Sequence, residues 1–148
     1  KILLTGASGF VGSHILDSLR ERGLATALLL RPGSDRRFIA PHLSAIELRT
    51  GSINDPESLQ RAMAGITHVI HCAGATRASR IAGFYEVNQA GTRNVVNAVN
   101  GQRGRIQRLV HISSLAAAGP AQREKPAREQ DPPRPVSEYG KSKLAGEL

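Results

Sequence analysis

Tyr139 and Lys143 stand four residues apart in the segment Tyr139-Gly140-Lys141-Ser142-Lys143. Side chains at this spacing share one face of a helix. An ammonium placed there lowers the pKa of a phenol, whose ordinary value is about 10, so that the phenol can give or take a proton near neutral pH. The pair predicts general acid/base chemistry, although tyrosine–lysine pairs at this spacing are also common on exposed helices.

The serine pair Ser113-Ser114 ends an apolar run that we interpret as the fifth strand of a sheet. Ligands in open α/β sheets bind beyond the carboxyl ends of the strands. A hydroxyl at such a point can donate to a substrate oxygen and stabilise the charge that develops on it. We therefore expect one of these serines to act together with Tyr139 and Lys143.

Three glycines, Gly6, Gly9 and Gly12, lie between a first strand and a first helix. The first glycine permits a tight turn, the second lets the backbone approach a pyrophosphate, and the third lets helix and strand pack closely. The N-terminus of the helix adds unpaired N–H groups and a positive dipole. The spacing is G-x-x-G-x-x-G, and its position between strand and helix favours a dinucleotide site over a plain glycine turn.

The second strand ends at Arg31, where many dinucleotide-binding proteins carry an acid that bonds the adenosine ribose. A guanidinium can bind a 2′-phosphate through two hydrogen bonds, whereas a carboxylate repels it. Arg31, followed by Arg36 and Arg37, therefore predicts NADP(H), with NAD(H) as the alternative if Arg31 only faces water.

Other cofactor contacts are expected from the ends of the third and fourth strands and from one helix. Small residues after the fourth strand let a flat cofactor pass, and Asn88 is either a buried amide that ties strand ends together or a surface residue. The predicted cofactor-binding residues are Gly6, Ser8, Gly9, Phe10, Val11, Gly12, Arg31, Ser52, Ile53, Ala73, Gly74, Ala75, Asn88, Tyr139 and Lys143. His71 and His111 are interpreted as strand histidines, and no metal site is predicted.

These residues are positioned by alternating strands and helices. The pattern predicts a doubly wound α/β fold, a parallel sheet with helices on both faces. Strands are expected at 1–4, 25–30, 45–48, 68–72 and 109–112, and helices at 10–22, from Asp55 to Gly65, at 84–99 and at 137–148, with a loop at 119–135.

The composition bounds the remaining possibilities. A chain of 148 residues with 40% hydrophobic and 3% aromatic residues predicts one domain with an aliphatic core. The net charge of +8 raises an RNA-binding alternative, but the arginines are scattered and lack interleaved aromatics. Cys72 is the single cysteine, and no membrane span is apparent. We expect a cytoplasmic protein, and the chain reads as a fragment of a longer polypeptide.

Together these motifs resemble the extended short-chain dehydrogenase/reductases, the NAD-dependent epimerase/dehydratase family. The resemblance covers essentially the whole chain. It implies a Rossmann fold in which residues 1–148 are the NAD(P)-binding part, truncated before a C-terminal substrate-binding part. Alignment on Gly119 makes Ser114 the catalytic serine. The motifs that carry the resemblance are residues 5–12, 71–74, 88–92, 111–114 and 139–143, with Glu147 beyond.

The departures from the family pattern narrow the expected chemistry. Ser52 stands where the family often has aspartate. Leu115-Ala116 replaces the acidic pair of sugar 4,6-dehydratases, and Ala118 replaces an aromatic residue common in sugar-nucleotide epimerases. The arginine at position 31 resembles the pattern of the family's NADPH-using carbonyl reductases.

The leading hypothesis is an NAD(P)-dependent oxidoreductase or epimerase that transfers hydride at a carbonyl or alcohol carbon. Ser114, Tyr139 and Lys143 are its catalytic residues, and its substrate is a small carbonyl compound or a nucleotide sugar. The alternatives are a sugar-nucleotide epimerase proper, or a non-catalytic NADP-binding sensor or assembly subunit. A homodimer is the expected assembly, with no nucleic acid or membrane partner.

Overall fold

The computed structural model describes residues 1–121 and 124–148. The chain divides into two compact units. The first, which we call the sheet unit, comprises Lys1–Ala73 and Asn94–Ile112. The second, which we call the helical unit, comprises Gly74–Arg93 and Ser113–Leu148.

The sheet unit is built on five parallel strands in the order β3-β2-β1-β4-β5. The strands are β1 (Ile2–Thr5), β2 (Thr26–Leu30), β3 (Glu47–Thr50), β4 (His68–His71) and β5 (Arg108–His111). The order reverses between β1 and β4, where ligands of doubly wound sheets bind. The predicted α/β fold with a parallel sheet is therefore confirmed.

The core of the sheet unit is aliphatic, as the composition predicts. The central strands are buried on both faces, with Leu4 and Leu28 inaccessible to solvent. Leu16 from the first helix and Ile39 from a 3-10 segment pack against them. Full burial of one leucine side chain contributes about 1.5–3 kcal/mol, so this cluster stabilises the packing of α-helical and 3-10 residues on β1 and β2.

The helices are α1 (Phe10–Glu21), α2 (Pro56–Ala62), α3 (Ile81–Tyr85), α4 (Thr92–Asn100), α5 (Leu115–Ala118) and α6 (Glu138–Glu147), with a 3-10 segment at Arg37–Ala45. The single helix predicted at 84–99 is instead α3, a π-helical segment at Glu86–Gly91, and α4. The apolar period detects helical residues but does not distinguish i→i+4 from i→i+5 bonding.

Smaller differences follow from weak local signals. The third strand lies two residues later than predicted, because the 3-10 segment occupies residues through Ala45. The sequence does not indicate this segment, because it contains Pro41 and its apolar residues follow no clear helical period. The short apolar run that forms α5 was not predicted as a helix. Across residues 1–121 and 124–148, no helix is both long and apolar enough to traverse a bilayer.

Candidate functional site

The glycine turn follows β1 in the sheet unit, and two of its glycines are required by the protein itself. Gly6 has φ +76°, and a Cβ built on it would lie 2.5 Å from the backbone nitrogen of Ala73. A Cβ on Gly12 would meet the Gly6 carbonyl oxygen and lie 2.7 Å from its carbon. Both distances are below any real carbon contact, so β1, β4 and α1 approach this closely only with glycine at these positions.

Gly9 is different, because the protein leaves space beside it. Its nearest neighbour for a built Cβ is the Gly6 carbonyl oxygen at 3.4 Å, an ordinary contact. Gly9 is the N-cap of α1, and no side chain caps this helix. Phe10 is 68% exposed and Val11 is 52% exposed. The first N–H groups of α1 have no intrahelical acceptors, so they form an open cradle suited to an anion.

A buried polar network holds the end of β1 against the end of β4. The Thr5 hydroxyl lies 2.7 Å from Nδ1 of His71 and accepts from the Ala73 N–H at 3.2 Å. The His71 ring stacks on His111 with centroids 5.2 Å apart. Both histidines are strand residues, as predicted, and the network sets the position of Ala73 beside Gly6.

The segment after β3 is held by two helices of the sheet unit. Ser58 of α2 accepts from the Ser52 N–H at 3.0 Å and donates to the Ser52 carbonyl at 3.2 Å. Asn94 of α4 donates to the carbonyl of Ile53 at 2.9 Å. Ser52 and Ile53 therefore have a defined backbone position beyond the carboxyl end of β3, while the Ile53 side chain is itself buried.

Arg31 begins an exposed turn after β2. The Ser34 N–H donates to the Arg31 carbonyl at 3.1 Å, and Gly33 supplies the positive φ of +75°. An acid, Asp35, does follow this strand, but Arg37 lies 2.7 Å from it. The backbone N–H and guanidinium of Arg37 hold the pKa of Asp35 below its ordinary value. The Asp35 carboxylate therefore stays ionised and its negative charge is balanced by Arg37. Arg31 remains exposed to solvent.

The serine pair belongs to the helical unit, and its two hydroxyls have different partners. Ser114 is the N-cap of α5, and its Oγ accepts from the Ala116 N–H at 3.2 Å. That acceptor bond orients the hydroxyl while leaving its O–H able to donate. Ser113 donates instead to the carboxylate of Glu147 at the end of α6. Of the two serines, Ser114 has the hydroxyl better suited to a substrate oxygen.

Helix α6 packs against α5 at Gly140, next to Tyr139. A Cβ built on Gly140 would meet the Ala116 carbonyl oxygen and lie 2.9 Å from its carbon. Only glycine therefore lets the first turn of α6 approach the first turn of α5, which Ser114 caps. In the sequence Gly140 stands only as a spacer between Tyr139 and Lys143, because a close helix–helix approach has no local signal.

Tyr139 and Lys143 lie one helical turn apart on α6. The Tyr139 ring lies 6.2 Å from the ring of Phe84 and is half-buried. Lys143 is only 3% exposed, which is rare for a lysine. A Cβ built on Gly74 would lie 3.2 Å from Oδ1 of Asn88 and 3.9 Å from Nζ of Lys143, so the ammonium lies close to the backbone of Gly74.

Asn88 is a buried amide, and it lies in the π-helical segment. Its Oδ1 accepts from the Ala75 N–H at 2.8 Å, and its Nδ2 donates to the Ala75 carbonyl at 3.0 Å. Nδ2 also donates to the hydroxyl of Ser142 at 2.9 Å. Asn88 therefore ties Ala75 to α6 within the helical unit, whereas the alternative of a surface amide is wrong.

The chain has two tyrosines, and the other one is in an unsuitable environment for proton transfer near neutral pH. Burial and a 3.2 Å hydrogen bond to Glu138 raise the pKa of Tyr85. Lys141 donates to the same carboxylate at 2.7 Å, and this bond lowers the pKa of Glu138. An anion beside Tyr85 opposes formation of its phenolate, which leaves Tyr139 as the better acid/base candidate.

Ser137 caps α6 as the sequence predicts, and the cap is testable. Its Oγ accepts from the Gly140 N–H at 3.0 Å. Ser137→Ala should lower the free energy of unfolding by about 1 kcal/mol, because that N–H loses its partner. Urea denaturation should show a lower midpoint with an unchanged slope. Ser137→Thr keeps the hydroxyl and should stay close to the parent, and equal midpoints for all three proteins would contradict the cap.

Comparison with known proteins agrees with the resemblance seen in the motifs. A model of the NAD dependent epimerase/dehydratase family matches residues 2–148. The chain is 32% identical to a ceramide reductase of Caulobacter vibrioides, covering 99% of this chain and 40% of that protein. It is 31% identical to a UDP-glucose 4-epimerase of Azospirillum brasilense, covering 99% of this chain and 42% of that protein.

A solved structure gives the same result. The UDP-glucose 4-epimerase of Thermus thermophilus, in complex with NAD, superimposes with a TM-score of 0.82 at 32% identity. The match covers 99% of this chain and 48% of that one, so the chain spans less than half the length of these relatives. The matched region includes the glycine turn, the Ser114 cap and the helix that carries Tyr139 and Lys143. Because the family model matches nearly the whole chain, the chain belongs to the NAD dependent epimerase/dehydratase family.

Proposed function

We propose that this chain is the dinucleotide-binding and proton-transfer part of an NAD(P)-dependent oxidoreductase or epimerase acting at a carbonyl or alcohol carbon. The observation that carries the proposal is the packing of the first turn of α6 on α5 at Gly140. It fixes Tyr139 and Lys143 on a helix held against the one that Ser114 caps. The relatives named above act as a reductase and an epimerase, which supports the same class of chemistry.

The residues of the glycine turn fit a dinucleotide pyrophosphate. The uncapped start of α1 offers N–H groups, and the space beside Gly9 would be filled by any larger side chain. We assign phosphate contacts to Gly6, Ser8 and Gly9 and to the first residues of α1. Ser52, Ile53, Ala73, Gly74 and Ala75 are proposed to border the remainder of the cofactor, with Asn88 acting through Ala75.

The proton chemistry is assigned to the helical unit. A bound nicotinamide would supply or accept the hydride. In the reducing direction Tyr139 gives its proton to the carbonyl oxygen as the carbon gains the hydride, so that an alcohol and a phenolate result. Ser114 donates a hydrogen bond to the same oxygen, and Lys143 stabilises the phenolate.

The experiment that tests this proposal measures cofactor binding and turnover on the purified protein. Fluorescence titration with NADPH and NADH should give saturable binding. In a panel of ketones, aldehydes and nucleotide sugars, absorbance at the reduced-nicotinamide band should then fall on addition of a ketone or aldehyde that is reduced. Epimerisation leaves the oxidation state of the cofactor unchanged, so turnover of nucleotide sugars is followed by chromatography of the products. Tight binding with no turnover across the panel would contradict an enzyme and favour a cofactor-binding sensor or assembly subunit.

Arg31 is proposed to select NADP(H), and the selection can be measured. Arg31→Ala should weaken NADPH binding about tenfold, because a charge-assisted bond to the 2′-phosphate is lost, while NADH binding changes little. Arg61→Ala removes the same charge from another exposed site of the sheet unit and serves as the control. Equal weakening of both cofactors by the two variants would assign Arg31 a general electrostatic effect and leave NAD(H) as the cofactor.

Three further expectations remain proposals. Residues 1–148 would form the NAD(P)-binding domain, with most of the substrate pocket supplied by sequence outside this chain, as the partial coverage of the longer relatives suggests. A homodimer is the proposed assembly, to be checked by light scattering. A cytoplasmic location is the proposed compartment, to be checked by fractionation.

A further inference from the structure

Ser142 carries a buried hydroxyl and lies between two lysines of α6. It is 0% exposed, although its neighbour Lys141 is exposed. Its Oγ donates to the Tyr139 carbonyl at 2.7 Å and accepts from Nδ2 of Asn88 at 2.9 Å. A serine inside a helix usually gains little stability from a hydrogen bond to the preceding turn. Full burial of Ser142 with two hydrogen-bond partners is therefore unusual for a serine at such a position.

The orientation of this hydroxyl is fixed from outside α6. The Asn88 amide pairs with both backbone groups of Ala75, because Oδ1 faces the N–H and Nδ2 faces the carbonyl. A flipped amide would set oxygen against oxygen and N–H against N–H at that pair, which excludes the reverse orientation. The second N–H of Nδ2 therefore always donates to Ser142, and the Ser142 proton must point to the Tyr139 carbonyl.

The backbone near Asn88 also allows the close contact between Asn88 and Ser142. Asn88 lies in the π-helical segment, whose wider turn is often found at functional sites. Its own carbonyl accepts from the Thr92 hydroxyl at 2.7 Å. A Cβ built on Gly146 would lie 3.4 Å from the Thr92 hydroxyl and would also meet the Asn88 carbonyl oxygen, so glycine at 146 permits the approach of α6 to this segment. Asn88 is 1% exposed, so water does not compete for these bonds.

We propose that Ser142 is a positioning residue of the reaction: the hydrogen-bond line Ala75–Asn88–Ser142–Tyr139 fixes the rotation of α6 and thereby the placement of the Tyr139 phenol relative to the Lys143 ammonium. This inference rests on the proposed function for its catalytic consequence. Ser142 itself does not touch the reacting atoms and acts only through Tyr139 and Lys143. The line also joins the strand-end segment at Ala75, assigned above to the cofactor, to the helix that carries the acid/base group.

The test uses a readout that a loss of stability alone would not move. Protein labelled with tyrosine carrying ¹³C at Cζ gives one resonance for Tyr139, identified by its absence in Tyr139→Phe. In Ser142→Ala the chemical shift of this resonance should differ from the parental value, because the phenol changes its position relative to the Lys143 ammonium. With the best substrate of the panel, kcat should fall about tenfold or more, with NADPH affinity unchanged.

Matched variants keep the outcome interpretable. Ser142→Thr retains the hydroxyl and should restore the parental chemical shift. Thr26→Val removes another buried hydroxyl, one that bonds the Leu24 carbonyl at 2.9 Å in the sheet unit, and should lower stability without moving the resonance. Where Ser142→Ala does not fold, Ser142→Cys, which nearly keeps the volume but bonds weakly, replaces it in both measurements.

The possible results separate this inference from the proposed function. A folded Ser142→Ala protein with the parental chemical shift and parental kcat overturns the positioning role, even if Tyr139→Phe is inactive. A changed chemical shift in Ser142→Ala together with full turnover in Tyr139→Phe overturns the proposed function and leaves the positioning of the phenol intact. Asn88→Ala combined with Ser142→Ala should add little to either single effect, since both break one line.

Discussion

Tyr139→Phe should reduce kcat by about 10²- to 10⁴-fold, the usual contribution of a positioned acid/base group. The substitution removes one oxygen atom and keeps the ring, so the contact with Phe84 should persist. Affinity for NADPH should change less than about threefold, because the proposed phosphate contacts lie in the glycine turn. Single-turnover kinetics, with cofactor binding measured separately by fluorescence, would separate the two effects.

The second tyrosine provides the control for this experiment. Tyr85→Phe removes the same atom from the same unit, where the phenol donates to Glu138 rather than facing a proposed substrate. Its turnover should stay within about twofold of the parent, because that half-buried bond joins Tyr85 to Glu138, which has no part in the proposed proton transfer. Comparable losses in the two variants would mean that helix stability, and not proton transfer, limits the rate. Full activity of Tyr139→Phe would remove Tyr139 from the mechanism.

The parts of the fold that could be predicted are those with local signals. Thr5-Gly6 after an apolar run, Asp55-Pro56 before a helix and Ser137 at a cap each act through groups within a few residues. Asp55 does accept from two N–H groups of α2, as its capping position predicts. Alternation of such elements was sufficient to predict a parallel sheet, because parallel strands require crossover connections.

The parts that could not be predicted depend on contacts distant in sequence. The π-helical segment keeps the apolar period of a helix and is detectable only from its i→i+5 bonds. Gly140 is required by a carbonyl 24 positions earlier in the chain, and Gly119 by the backbone of Arg134, 2.6 Å from a built Cβ. The hydrogen bond from the Ser113 hydroxyl to Glu147 likewise joins residues 34 positions apart, and nothing near Ser113 in the sequence indicates it.

The glycines of the turn yield a second large effect, because the structure distinguishes glycines needed by the protein from one that it merely tolerates. Gly12→Ala should lower the free energy of unfolding by about 1–3 kcal/mol or more, since its Cβ would overlap the backbone of Gly6. Cofactor binding should be lost with it, because α1 must move away from the turn. Thermal unfolding with and without NADPH would measure both.

Gly9→Ala should behave in the opposite way. Its φ of −86° and ψ of 169° suit alanine, and the nearest contact of the new Cβ is 3.4 Å. The weaker N-cap is offset by the smaller entropy of the unfolded chain, so stability should change by less than about 1 kcal/mol. NADPH affinity should nevertheless fall at least about tenfold, because the methyl group fills the space into which the pyrophosphate must come. A stable Gly9→Ala protein with parental affinity would show that the phosphates do not approach this turn, and the cofactor assignment would then lose its main structural support.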